Sequence, residues 1–212
     1  MRFTNGGCIM NTITRSAFIR QGSVFAVSVA LLGCRHPVVS GHTSDCQTSA
    51  DSLGPFYRAG APLRADMRVA GDLGAPLNMD GIVYSDDCVT PLSGALVEVW
   101  QADGAGAYDN GSADFRYRAS LNSGENGGYA FSTNLPGKYL NGGQFRPSHI
   151  HFRVTAEGHQ SLVSQVYFEN DTDIASDPWA SSPEAEARIL PVTESENGEL
   201  QVNFDIYLVL AS

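Results

Sequence analysis

The segment Arg146-Pro147-Ser148-His149-Ile150-His151-Phe152-Arg153-Val154 carries the densest chemical pattern in the chain. In an extended strand side chains alternate, so His149 and His151 share one face and Ile150, Phe152 and Val154 take the other. Two imidazoles about 7 Å apart along a strand can converge on one metal ion while the opposite side chains enter a core. Any His-x-His strand does this, and taken alone the pair reads as two ordinary sheet histidines. Two tyrosines change its setting. Tyr139 follows Pro136-Gly137-Lys138, upstream of the histidines, and Tyr108 closes the Gly-rich run Trp100-Gln101-Ala102-Asp103-Gly104-Ala105-Gly106-Ala107. A phenol with a pKa near 10 becomes a phenolate at neutral pH only beside a strongly charged cation.

The elements that must position these residues read as strands. From Asp80 onward short apolar runs are separated by turn residues, the pattern of an all-β sandwich in one domain. Residues 81–84, 95–100 and 129–132 are short apolar runs, the second entered through Pro91-Leu92-Ser93-Gly94. His149–Thr155, Leu162–Phe168 and residues 202–210 alternate with period two, and the last run places Val202, Phe204, Ile206, Leu208 and Leu210 on one face. One helix is predicted, over 182–189, with Pro183 in its first turn. Residues 35–76 are rich in Ser, Thr, Gly and Pro and show no period. They read as a tether over 34–50 and an irregular arm at the start of a domain spanning 51–212.

The chain has 212 residues, 42% of them hydrophobic, enough for one domain with a real core. Thirteen basic residues face 23 acidic ones, a formal charge of −10, and lysine occurs once, at Lys138. Such a surface offers nothing to a phosphate backbone, which excludes nucleic-acid binding. Up to Gly33 there is no acidic residue. Arg15 and Arg20 precede an apolar stretch over 24–32, and Leu31-Leu32-Gly33-Cys34 resembles the bacterial lipobox. This predicts an export signal over 1–33, with either Met1 or Met10 as the start and Cys34 as a lipid anchor. Residues 14–19 look like a twin-arginine signal lacking its second arginine. The expected location is periplasmic or at the outer surface, with membrane contact through Cys34 alone. Removal of residues 1–33 takes away three arginines and no acid, moving the charge from −10 to −13. Cys46 and Cys88 then remain as natural disulfide partners in an oxidising compartment.

Several of these segments together resemble the intradiol ring-cleavage dioxygenases, the catechol and protocatechuate family of non-haem iron(III) enzymes. They are Leu53-Gly54-Pro55-Phe56-Tyr57, Val97-Glu98-Val99-Trp100-Gln101 with Tyr108, Pro136-Gly137-Lys138-Tyr139, the Arg146 to His151 segment, and Gln165-Val166-Tyr167-Phe168. The resemblance implies a β-sandwich of the intradiol type, with Tyr108, Tyr139, His149 and His151 as the ligands of a ferric ion. It implies Tyr139 as the ligand that departs when substrate binds, Arg146 as an active-site cation and Gln165 as a pocket residue. Gly54 and Pro55 would lie near the substrate. The implied partners are a catecholic small molecule and O2, the ring opening between its two hydroxylated carbons to a muconate-type diacid. The residue types suit that ion. Two phenolates, two neutral imidazoles and one hydroxide cancel the charge of iron(III), which a buried site tolerates far better than a net charge. Zinc rarely takes tyrosine, and an iron(II) facial triad needs a carboxylate. Arg146 would stabilise negative charge developing in the reaction.

Other residues read as structural. Tyr84, Tyr117, Tyr129, Tyr167 and Tyr207 fit as sheet aromatics, and His159 as a surface residue in a turn. Asp171, Asp173 and Asp177 lack the glycine and terminal glutamate of a calcium loop and read as a solvated turn. Residues 91–99 with 128–131 also resemble the prealbumin-like and carboxypeptidase-regulatory sandwiches, metal-free binding modules. That alternative explains the scaffold but not the two tyrosines, the two histidines or Arg146. The helical segment through which the catechol branch pairs its subunits has no periodic counterpart ahead of the first strand, so the oligomeric state stays open, as do the substituents of the ring.

Overall fold

The computed structural model describes residues 46–212. The export signal, Cys34, His36 and His42 lie outside the described residues. Twelve strands follow one another in the described part: β1 (Pro76–Tyr84), β2 (Leu96–Gln101), β3 (Arg118–Asn122), β4 (Gly128–Asn134), β5 (Tyr139–Asn141), β6 (Gln144–Arg146), β7 (His149–Thr155), β8 (Leu162–Phe168), β9 (Ile189–Leu190), β10 (Thr193–Glu194), β11 (Leu200–Asn203) and β12 (Ile206–Tyr207).

Two five-stranded sheets form the body. One runs β10-β11-β1-β12, with β4 antiparallel on the other edge of β1. The other runs β3-β2-β7-β8-β9, antiparallel except for the β8–β9 pair. Alternation decides what lies between them. Leu77, Met79 and Val83 of β1, Val97 and Val99 of β2, Ile150, Phe152 and Val154 of β7 and Val166 of β8 are all buried in one core cluster. Phe152 is the hinge of that core, its ring 5.3 Å from Phe204, 6.2 Å from Phe131 and 6.2 Å from Tyr129. The same alternation sends His149, His151, Trp100, Gln165 and Tyr167 to the outer face of the second sheet. That face is covered too, by the irregular segment 46–58, by the loop carrying Tyr108, and by the separate β5–β6 hairpin.

The run over 202–210 is two strands rather than one. It lies parallel to β1, β11 opposite Leu77–Asp80 and β12 opposite Val83–Tyr84. Between them the Phe204 carbonyl leaves the ladder to accept the Tyr129 hydroxyl at 2.6 Å, and the Asp205 carboxylate takes the Ile82 N–H instead. Val202, Phe204, Ile206 and Leu208 are buried as the pattern requires, whereas Leu210, past the last strand, is 46% exposed. The predicted helix is a 3-10 helix over Pro183–Arg188, and a second 3-10 turn spans Ile174–Ser176. The first strand starts at Pro76, within the stretch read as arm.

Residues 46–50, read as the end of a tether, are fastened to the domain. Thr48 is buried, its N–H donates to the Tyr207 carbonyl, and its hydroxyl accepts the Tyr207 N–H. A disulfide joins Cys46 to Cys88 across a sequence separation of 42. Restricting a loop of that size in the unfolded chain is worth roughly 3–4 kcal/mol. Replacing both cysteines by serine is therefore expected to lower the unfolding free energy by about 3 kcal/mol in urea titration. An unchanged midpoint would mean that the reduced chain keeps the same constraint by other contacts.

Candidate metal centre

β7 presents His149 and His151 from its outer face, each 2% exposed, with ring centroids 5.0 Å apart. Their neighbours across the ladder are set by register: Trp100 and Gln165 flank His151, and Tyr167 faces His149. Trp100 stacks on the His151 ring at 4.8 Å with 9° between planes. The tyrosines arrive on loops. Gly106, at φ 85°, packs so closely on the Lys138 carbonyl that a Cβ there would sit 2.1 Å from the oxygen. The Asp103 carbonyl accepts the Gly137 N–H. The Gly-rich run thus lets the backbones before Tyr108 and Tyr139 touch, and the two phenol rings meet at 5.6 Å. Tyr139 lies 5.6 Å from His149 and Tyr108 lies 6.3 Å from His151, centroid to centroid, so the four rings form one cluster.

Protonation follows from the surroundings. His149 Nδ1 lies 2.6 Å from the Pro147 carbonyl, which can only accept, so Nδ1 carries the proton and Nε2 keeps its lone pair. That Nε2 is 3.1 Å from the Tyr108 hydroxyl. Burial, with the Arg146 charge adding to it, pushes His149 down to about 4, and burial with the neighbouring His149 pushes His151 well below the imidazole range. Burial first and the facing Tyr139 second push the Tyr108 phenol well above its usual range. The rings are thus neutral imidazoles and, at Tyr108, a phenol that keeps its proton until a strong cation arrives.

The donor set fits such a cation. His151 Nδ1 is a buried imidazole nitrogen without a hydrogen-bond partner among the described residues; Trp100 Nε1 is unpartnered too, but as a donor-only N–H it is no ligand. No group of three or more His, Cys, Asp or Glu side chains is placed to hold a metal among the described residues. A cation here therefore needs the phenols. Two oxygens that ionise under a hard, highly charged ion and two imidazoles already deprotonated form a ferric-type set.

Arg146, at the end of β6, is held rather than free. Its Nε donates to Asp177 Oδ2 at 2.7 Å, and its Nη2 donates to Asp177 Oδ1 at 3.2 Å and to the Tyr167 hydroxyl at 3.1 Å. Its guanidinium carbon lies 4.4 Å above the Trp179 ring. Burial pushes the Asp177 carboxyl up, but hydrogen bonds from Arg146 and from the Ala180 and Trp179 N–H groups outweigh it and leave it below the usual range. Gln165 is also committed: its Nε2 donates to Asp51 Oδ1 at 3.1 Å and to the Ser52 carbonyl at 2.7 Å. Gly54, at φ 66°, lies against His151, where an added Cβ would sit 3.2 Å from Cε1. Pro55 follows, and then Phe56, which stacks on Tyr108 at 4.1 Å and meets Tyr139 edge-on at 5.7 Å.

The structure thus brings Tyr108, Tyr139, His149 and His151 into one cluster, with Arg146 and Gln165 one layer out. Tyr167 is not merely a sheet aromatic. Its hydroxyl links Arg146 to Asp51, and period two in β8, which puts it on the Gln165 face, is the signal that places it. Asp171 and Asp177 are not a solvated turn: Asp171 accepts the Ser148 N–H at 2.9 Å and pairs with Lys138, while Asp177 is buried against Arg146. Asp51, Phe56 and Arg118 belong to the surroundings too, Arg118 donating to the carbonyls of both Phe56 and Asp109. Nothing local in the sequence marks Asp51 or Asp177, because their partners are more than 30 residues away. Tyr129 faces the core and serves Phe204, apart from the cluster.

A family profile described as dioxygenase matches residues 53–210. Among curated proteins, a hydroxyquinol 1,2-dioxygenase of Nocardioides simplex is 32% identical over 186 residues, covering 79% of this chain and 61% of the relative. A chlorocatechol 1,2-dioxygenase of Rhodococcus opacus is 31% identical over 189 residues, covering 77% and 72%. The chain thus spans about three fifths of the hydroxyquinol enzyme's length. Among solved structures, the dioxygenase domain of a carbohydrate-binding fusion from Streptomyces sp. SirexAA-E superposes with a TM-score of 0.67 at 30% identity, covering 78% of this chain and 99% of that one. Catechol 1,2-dioxygenase from Acinetobacter sp. ADP1 gives 0.70 at 27% identity, covering 78% and 63%.

The Arg146–Asp177 pair makes a testable element of this layer. Both side chains are nearly fully buried, so Asp177→Ala leaves an uncompensated guanidinium. A loss of about 3–5 kcal/mol in unfolding free energy is expected. Denaturant titration checks it, and a loss below about 1 kcal/mol, the worth of an exposed pair, would show that the charge finds water or another partner.

Proposed function

Because the chain belongs to the intradiol ring-cleavage dioxygenase family, we propose that it holds a ferric ion at Tyr108, Tyr139, His149 and His151 and opens a benzene ring carrying two adjacent hydroxyls, using O2, between the hydroxylated carbons to give a muconate-type diacid. The observation that carries this reading is the Tyr108 hydroxyl facing the bare Nε2 of buried, neutral His149 at 3.1 Å. When bound, the ferric ion supplies the charge that ionises phenols at neutral pH and draws electron density from a catecholate ring, readying the ring for O2.

The chain's own groups do the rest. Tyr108 is the fixed phenol, stacked under Phe56 and followed by Asp109, whose carbonyl Arg118 grips. Tyr139 is the exchangeable one. It opens a two-stranded hairpin that belongs to neither main sheet and turns through Gly142 and Gly143. Arg146 and Lys138 anchor the base of the hairpin, while its strands make no ladder bonds to either sheet, the kind of segment that opens at low cost. With a ferric ion held here, Tyr139 would accept one of the catechol's two hydroxyl protons at its own oxygen, and hydroxide would take up the other as water. Arg146, paired in register with Tyr139 across that hairpin, stands beside the departing phenol while Asp177 fixes its fork. Phe56, stacked on Tyr108 and edge-on to Tyr139, and Gly54, against His151, cover one side of the cluster, with Pro55 between them. The Cys46–Cys88 disulfide supports a working place outside the reducing cytoplasm, as the proposed export signal and Cys34 anchor require.

Oxygen uptake after ferric reconstitution tests the reading. Catechol, chlorocatechols and hydroxyquinol are expected to consume one O2 per ring and yield ring-opened diacids, while the 1,3-dihydroxy isomer is inert. Tyr108→Phe and His151→Ala each remove a proposed ligand, so their losses should exceed the roughly 10–100-fold cost of losing a ligand's supporting partner. Tyr129→Phe is expected to retain iron and turnover. Loss in the Tyr129 variant with retention in the Tyr108 variant would contradict the assignment.

A further inference from the structure

Residues 46–57 form one wall of the centre yet contain no strand or helix. Their backbone makes few ladder-like contacts, Thr48 N–H to Tyr207 and Asp51 N–H to Val163 among them. A buried ion pair stands at their middle. Asp51 Oδ2 accepts Arg188 Nη1 at 2.6 Å and the Tyr167 hydroxyl at 3.0 Å. Asp51 Oδ1 accepts Gln165 Nε2 at 3.1 Å and the Ser52 N–H at 2.6 Å. Arg188, from the 3-10 helix over Pro183–Arg188, also donates through Nη1 to the Gln165 carbonyl at 2.6 Å and through Nε to the Ser49 hydroxyl at 2.7 Å. The two side chains are 3% and 2% exposed.

The geometry points to Asp51 and Arg188 as a positioning pair that docks this arm against the second sheet, and so sets how tightly the site grips a catecholic ring that neither residue touches. The idea rests on the ring-cleavage reading for its substrate, but not for its structural half. Burying two charges in water-poor surroundings gains little stability over an apolar pair of the same size, so stability is a weak reason for them. What the pair does contribute is register. Each acceptor position of Asp51 and each used donor of Arg188 is matched to the arm or to β8, and a slip of one residue would break most of these bonds at once. From the pair, short links run to the centre. Gln165 holds the Ser52 carbonyl, the Ser52 hydroxyl accepts the Gly54 N–H at 3.1 Å, Gly54 abuts His151, and Phe56 covers Tyr108. Cys46 pins the arm upstream and Arg118 holds the Phe56 carbonyl downstream, so Asp51 controls the span between two fixed points.

A wall that no longer seats loses contacts with bound substrate and with the transition state alike. That raises KM and leaves kcat nearly unchanged. A merely destabilised fold instead lowers the folded fraction and leaves the KM of the folded molecules as it was.

Hydrogen exchange and kinetics on full-length Asp51→Asn and Asp51→Asn/Arg188→Met proteins test the pair, with Asp66→Asn, at an exposed ion pair, as control. Amides of residues 51–54 and 56 are expected to exchange at least about tenfold faster than in wild type, with those of β2 and β7 unchanged. With catechol, KM should rise about tenfold and kcat stay within about twofold, and Arg188→Lys should fall between. Wild-type exchange in the arm, or a fall in kcat at constant KM, would overturn the proposal. Should the Asp51 variants fail to fold, Ser49→Ala removes one Arg188 partner and is expected to speed the same amides; unchanged exchange there overturns it as well. Wild-type protein that opens no dihydroxybenzene would defeat the ring-cleavage reading, while the exchange data still decide whether the pair docks the arm.

Discussion

A buried phenol keeps its proton unless a strong positive charge stands beside it, and this constraint organises the site. Tyr108 is pushed toward its neutral form by burial, and the two histidines are pushed toward neutrality as well. With Tyr108 held as a phenol and both imidazoles neutral, these rings carry no charge of their own, and the proposed ferric ion would supply the positive charge that a phenolate needs. A site built from carboxylates would repel itself without metal. This one does not, because its buried imidazoles and the Tyr108 phenol are neutral.

Closing over it is the work of a second layer. The outer face of the sheet β3-β2-β7-β8-β9 would ordinarily meet solvent, with polar residues alternating against the core. Here irregular segments bury it, and charge on this side comes in compensated pairs: Arg146 with Asp177, Arg188 with Asp51 and, within the sheet itself, Arg153 of β7 with Glu98 of β2. Tyr167 lies between the first two pairs, with its hydroxyl within hydrogen-bond reach of both Arg146 and Asp51. The charge near the imidazoles is therefore largely paired, and what remains is positive, since Arg146 and the buried Arg118, which donates only to carbonyls, both push His151 toward its neutral form.

What the sequence makes legible is what repeats locally. Period two in β7 and β8 places the histidines on one face and Ile150, Phe152 and Val154 in the core, and it would place Tyr167 beside Gln165 once both are referred to the same face. Gly-rich punctuation before Tyr108 signals a loop, though the close approaches of Gly104 to Gly74 and of Gly106 to Lys138 are what explain why that loop is Gly-rich. Long-range pairing is illegible. Asp177 looks like one of three acids in a turn, and Asp51 like part of a polar arm, because a buried carboxylate is recognised by its arginine and the arginine is distant in the chain. The break between β11 and β12 escapes the pattern for a similar reason: hydrophobic alternation continues unbroken through Phe204 while the hydrogen bonds change partners to Tyr129 and Ile82.

Resonance Raman spectroscopy of the ferric-loaded protein, excited within its visible absorption, bears most directly on the proposed ligand set. Tyrosinate bound to iron(III) gives enhanced phenolate ring modes. Two distinct sets are expected in the resting protein, with one set lost in Tyr108→Phe and the other lost in Tyr139→Phe or on adding catechol. Stoichiometric ferric binding that yields no phenolate modes would mean that the ion sits elsewhere and that the four rings are only a buried aromatic cluster.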